Sequence, residues 1–159
     1  MLKNTIFTLS IITFGIMVAF QLSPSDSTPP TQEIHKVAKS QLKPEGINFF
    51  KGSWDDALKK AKDEDKLIFL DVYATWCGPC KMLKANVFPN TDVGEFYNKN
   101  FVNLTLDGEK GKGKELARKY GVRAYPTLLF IDHEGKVVSS TAGYRDPKAF
   151  LEMGKKVVK

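Results

Sequence analysis

Cys77 and Cys80, with Gly78 and Pro79 between them, are the two cysteines of this 159-residue chain. Two intervening residues let the sulfurs approach bonding distance when the pair opens a helix. A sulfur at a helix start also meets unsatisfied backbone N–H groups and the positive end of the helix dipole. That surrounding favours thiolate over thiol at Cys77, and the thiolate is the form that attacks a disulfide. Cys80, a turn further in, is expected to be shielded and to resolve the mixed disulfide that the attack creates. Pro79 falls near the first turn, where a missing N–H costs little, and stiffens the pair. Two other readings of the same residues are half of a zinc site and a pair of inert structural thiols. A zinc site needs two more ligands, and the histidines are His35, in a polar N-terminal stretch, and His133, in a hairpin turn. No metal is therefore expected.

The elements around the pair must hold it. Leu67 to Tyr73 is a nearly continuous apolar run of β-formers, as expected of a strand buried on both faces, and it ends just before the cysteines. Asp71 interrupts it. Burial should raise the pKa of this carboxyl and let it exchange a proton with Cys80, the alternative being a hydrogen-bonded core carboxylate. Before that strand, Ser53 is a plausible N-cap for an amphipathic helix over Trp54 to Lys62, with Trp54 in the core. After the cysteines, Lys81 to Phe88 and Val93 to Asn100, capped by Asp92, read as helices, and Phe101 to Leu106 as a second buried strand. A loop from Gly108 to Lys114 leads to a short helix from Glu115 to Tyr120, stopped at Gly121. Thr127 to Ile131 and Lys136 to Thr141 read as strands joined by a turn, and Asp146-Pro147 opens a last helix to about Lys156. The order α-β-α-α-β-α-β-β-α predicts an α/β fold, a central mixed sheet with helices on both faces.

Composition narrows the rest. Hydrophobic residues make up 42% and charged residues 26% of the chain, which suits one compact domain. The net charge is +6, but the 24 basic residues are interleaved with 18 acidic ones and form no aromatic-laced basic run, so nucleic acid is not expected as a partner. Residues 1–22 carry an uncharged apolar stretch after Lys3 and read as a signal peptide or an N-terminal membrane anchor. Lys3 favours a cytoplasmic amino terminus, with the rest of the chain across the membrane. Residues 23–45, beginning Ser-Pro-Ser-Asp-Ser-Thr-Pro-Pro, read as a flexible linker, and residues 46–159 as the folded domain.

Three separated motifs carry a resemblance. Ala74-Thr75-Trp76-Cys77-Gly78-Pro79-Cys80-Lys81 resembles the active site of thioredoxin and its exported relatives. Asp71 stands where that family has its buried acid, and Tyr125-Pro126-Thr127 resembles its cis-proline loop, with Tyr120-Gly121-Val122-Arg123 upstream and Gly143 after the last strand. The stretch from Lys81 to Phe88 is similar to the exported branch that includes the C-terminal domain of the transmembrane thiol reductase. The resemblance implies a thioredoxin fold, catalysis by Cys77, Cys80 and Asp71, and an active-site loop and substrate-binding surface formed by Trp76, Gly78, Pro79, Tyr125, Pro126 and Gly143. The rival readings are a strand start for Pro126 and a packing aromatic for Trp76. Two departures stand out: Ala85 replaces a helix-kinking proline, and Asn103 takes the position of a lysine beside the buried acid.

These features together predict a membrane-tethered or exported thiol–disulfide oxidoreductase, acting as a monomer in the bacterial periplasm or on the extracytoplasmic face of the membrane. It would need no cofactor beyond the Cys77–Cys80 pair. Its partners would be disulfide-containing substrate proteins and an upstream thiol donor or oxidant, with the membrane as a further contact if the N-terminal segment is uncleaved. Gly-Pro between the cysteines resembles the reducing end of the family. A disulfide oxidase or isomerase and a cytochrome-maturation protein are the alternatives within it, and a peptide-binding module without turnover is the alternative outside it.

Overall fold

A computed structural model describes residues 46–158. The apolar N-terminal segment, the Pro/Ser/Thr linker and His35 lie outside the described residues. The elements run α1 (Trp54–Asp63), β1 (Leu67–Tyr73), α2 (Gly78–Met82) continuing into a π-helical turn (Leu83–Val87), α3 (Thr91–Asn100), β2 (Phe101–Asp107), α4 (Gly111–Lys119), β3 (Thr127–Ile131), β4 (Val137–Ala142) and α5 (Pro147–Val157). The element order is the expected one. The four strands form one mixed sheet in the order β2-β1-β3-β4, parallel between β1 and β2 and antiparallel across the other two pairs.

Alternation along β1 sorts the helices onto the two faces. Ile68, Leu70 and Val72 pack with Val102 and Leu104 of β2, Leu129 and Ile131 of β3, and with Trp54, Ala57 and Ala61 of α1 and Leu116 and Ala117 of α4. On the other face Phe69 joins Leu128 and Phe130, Leu83 and Val87 of the π turn, Val93 and Tyr97 of α3 and Phe150 of α5. Tyr97 and Phe150 stack with ring centroids 4.7 Å apart, and the tyrosine hydroxyl donates to the Phe150 carbonyl at 2.8 Å. Strands β1 and β3 are thus the buried centre, whereas β4 is an edge whose residues are half-buried or exposed in alternation.

Local chemistry explains the element ends. Ser53 accepts from the Asp56 N–H at 3.1 Å while Asp56 accepts from the Ser53 N–H at 3.0 Å, a reciprocal cap that starts α1. Asp146 accepts from Ala149 at 2.9 Å and Pro147 fills the next position, so α5 begins where expected. Several boundaries differ from expectation. The helix after the cysteines starts at Gly78, capped by Cys77, and widens at Leu83, where the Phe88 N–H reaches back five residues to the Leu83 carbonyl at 2.9 Å. Asn90, not Asp92, caps α3, its side-chain oxygen accepting from Val93 at 3.1 Å, and Asp92 sits in the first turn near the positive end. Helix α4 begins at Gly111, inside the stretch read as a loop. A Cβ on Gly113 would lie 2.1 Å from the Asp107 carbonyl oxygen, so that glycine is what lets the helix press against the end of β2.

Candidate functional site

Strand β1 delivers the chain to the cysteines and α2 receives it. Cys77 and Cys80 are bonded to each other, with Cα atoms 5.3 Å apart. Cys77 is the N-cap of α2, and its sulfur accepts from the Cys80 N–H at 3.1 Å. A developing thiolate at Cys77 would meet that donor and the positive end of the helix, which stabilise negative charge there. In the disulfide form the two cysteines are equally enclosed, 2% and 3% exposed, so the expected shielding of Cys80 alone is not what separates them. What separates them is position: one caps the helix and the other lies inside it. Gly78 and Pro79 are exposed between them, and a Cβ added to Gly78 would meet nothing within 4 Å.

Tyr125 packs on the pair, with Trp76 against its ring and Pro126 and Gly143 joined to each other beside it. Trp76 is 66% exposed, presents its ring edge-on to Tyr125 at 5.9 Å, and donates its indole N–H to both carboxylate oxygens of Glu109 at 3.1 Å. Tyr125 packs with Tyr73 and Ala74 against the two cysteines. The Tyr125–Pro126 peptide bond is cis. The Pro126 carbonyl accepts from the Gly143 N–H at 2.8 Å, and Gly143 has φ +88°, which an L side chain rarely adopts. Gly108, read as plain loop, is held against this cluster: its N–H donates to the Tyr73 carbonyl at 2.8 Å, and a Cβ there would lie 2.6 Å from the Tyr125 ring. His133 sits in the β3–β4 turn beside Glu134, at the opposite end of β3 from Pro126.

Asp71 is 1% exposed, on the same face of β1 as Phe69 and Tyr73, the face that α2 and the π turn cover. Burial is the chief influence and raises its pKa to about 6, opposed by a hydrogen bond from Thr105 and by the charge of Lys84. The residue opposite Asp71 on β2 is Thr105, whose hydroxyl donates to Oδ2 at 2.9 Å. Asn103, expected to be the neighbour of the acid, pairs with Phe69 instead and sends its amide N–H groups to Asn48 and Asn98. Lys84, from the π turn, rests its ammonium 3.8 Å from the centre of the Tyr73 ring. The sequence signalled neither Thr105 nor Glu109: the first is defined by strand register and the second by a contact 33 residues away. Among the described residues no group of three or more His, Cys, Asp or Glu is placed to hold a metal ion.

A family model described as a thioredoxin-like domain matches residues 54–158. Thioredoxin-1 of Drosophila melanogaster is 38% identical over 94 residues, 59% of this chain and 82% of the fly protein. Among solved structures, a candidate disulphide-isomerase from Bacteroides thetaiotaomicron is 48% identical with a TM-score of 0.65, covering 74% of this chain and 98% of that one. The reduced DsbD C-terminal domain of Neisseria meningitidis is 25% identical with a TM-score of 0.52, covering 64% and 88%.

Proposed function

The chain belongs to the thioredoxin-like family, and we propose that within it this protein is an exported protein-disulfide reductase. Thiol–disulfide oxidoreductase activity in general follows from the family and the Cys77–Cys80 disulfide. The observation that carries the proposed division of labour is the N-cap position of Cys77, where the helix start favours its thiolate.

The Cys77 thiolate attacks one sulfur of a substrate disulfide. That bond breaks, the distal sulfur leaves as a thiolate that takes up a proton, and a mixed disulfide joins Cys77 to the substrate. Asp71 accepts the proton of Cys80, whose thiolate then attacks the Cys77 sulfur. The second substrate sulfur leaves as a thiolate, and the Cys77–Cys80 bond closes. Two electrons have passed to the substrate, and a thiol donor must return two to the protein. Trp76, Tyr125, Pro126 and Gly143 form the surface against which the substrate segment lies while its sulfur is bonded to Cys77.

Gly78-Pro79 between the cysteines supports the reducing direction. The apolar N-terminal segment supports work outside the cytoplasm, on a tether if the segment is retained. Among the described residues no helix is long and apolar enough to cross a membrane. Isomerisation is the second reading, favoured by the likeness to the Bacteroides candidate isomerase.

Insulin reduction driven by dithiothreitol tests the chemistry. Wild-type protein should accelerate it, Cys77→Ser should fall to the uncatalysed background, and Cys80→Ser should accumulate a mixed disulfide. Equilibration with glutathione tests the direction. A potential near about −270 mV supports the reductase, whereas one near about −120 mV would sink it, these being the two ends of the family's range.

A further inference from the structure

We propose that Thr105 is a positioning residue for the proton that leaves Cys80: its hydroxyl occupies Oδ2 of Asp71, so that Oδ1 is the oxygen left to receive that proton. This rests on the reading of Cys80 as the resolving thiol and Asp71 as its proton acceptor. Strand register brings the two residues together, since β1 and β2 run parallel with Asp71 directly opposite Thr105. The hydroxyl proton is committed to Oδ2 at 2.9 Å, while Oδ1 is buried with no hydrogen-bond partner. A threonine hydroxyl has one proton to give, and its β-branched side chain has little rotational freedom, so the donor stays aimed. The hydrogen bond also favours the charged carboxylate that must be present when Cys80 ionises.

The surroundings of Asp71 leave few competitors. From the π turn, Lys84 contributes the one charge that acts on it among the described residues. Its own strand places Tyr73 on the same face, where Tyr73 packs with Cys80 of α2, while β2 sets the neutral Thr105 and β3 sets Leu128 opposite Asp71 in register. With Oδ2 already accepting from Thr105, Oδ1 is the oxygen with no competing hydrogen bond.

Stopped-flow reaction of the reduced protein with 5,5′-dithiobis(2-nitrobenzoate) separates the two thiols. The first thionitrobenzoate release reports attack by Cys77, and circular dichroism of each variant checks that the fold is kept. The second reports Cys80 displacing the mixed disulfide. In the wild type the second rate should climb with pH through about 6 as Asp71 ionises. Thr105→Val should move that midpoint up by about one pH unit and slow the second release about tenfold below it, the effect of losing a hydrogen bond to a charged group. Thr105→Ser, which keeps the donor, should restore both. If Thr105→Val keeps the wild-type midpoint while Asp71→Asn flattens the profile, Asp71 accepts the proton without help from Thr105 and the inference is overturned by itself. Should Thr105→Ser behave like Thr105→Val, the hydroxyl is not the agent and the inference is equally overturned. A second release indifferent to Asp71→Asn removes the reading of Asp71 and the inference together.

Discussion

Asp71 and Asn103 are buried polar side chains on neighbouring strands, and each has one oxygen without a hydrogen-bond partner. Their positions differ by two steps of the β1–β2 ladder, Asn103 lying opposite Phe69 and Asp71 opposite Thr105. Asn103 belongs to a structural network: its amide N–H groups donate to the Asn48 carbonyl at 3.4 Å and to Asn98 Oδ1 at 3.1 Å, and Asn98 in turn holds the Gly46 carbonyl at 3.1 Å. The network ties the segment from Gly46 to Phe50 alongside β2, where Phe50 also donates to the Asn103 carbonyl at 2.8 Å. Asp71 ties nothing down. It can carry a charge, which an amide cannot, and it faces the layer that bears the dithiol. Two steps apart on one ladder, a buried amide organises chain and a buried acid takes, in the role proposed for it, a proton.

Substitutions should separate the two roles. The largest effect is expected from Asp71→Asn. In the folded protein burial keeps this carboxyl protonated up to about 6, whereas its ordinary value is 3.8, so it favours folding fully below pH 3.8 and loses that contribution as pH rises through about 6. Removing the charge should raise stability at pH 7 by about 3 kcal/mol and flatten the pH dependence between those limits, read by urea denaturation at a series of pH values. No gain at pH 7 would contradict the view of Asp71 as stability held back for chemistry. Asn103→Ala should act in the opposite sense, costing about 1–3 kcal/mol through lost hydrogen bonds to buried groups, with both thionitrobenzoate releases at wild-type rates. A slowed second release in Asn103→Ala would collapse the distinction between the two residues. The smallest effect is expected at the rim: Glu109→Ala frees the Trp76 indole and should change stability by less than about 0.5 kcal/mol while altering the tryptophan fluorescence of the oxidised protein. An unaltered emission spectrum would count against the contact.

The parts of this fold that could be read ahead are those where local pattern and tertiary need coincide. β1 and β3 match their expected bounds because an apolar run of β-formers is also what the middle of a sheet requires. The dithiol, the cis-proline loop and Asp71 were legible as motifs. The start of helix α4 was not, because Gly111 and Gly113 argue locally for a loop, whereas Gly113 is demanded by the contact with the Asp107 carbonyl. The neighbour of Asp71 was misplaced from Thr105 to Asn103 for a related reason. The sequence shows which residues are polar, but which one faces the acid is set by a register between strands 34 positions apart.

Gly78 lies between the two sulfurs with open space where a side chain would go. A residue placed there could therefore shift the relative energies of dithiol and disulfide without disturbing the sheet, the cis-proline loop or the packing of Tyr125. The residue between the cysteines and the scaffold that holds them are in that sense separable in this protein: the one exposed position is open to change while the packing around the sulfurs stays as it is.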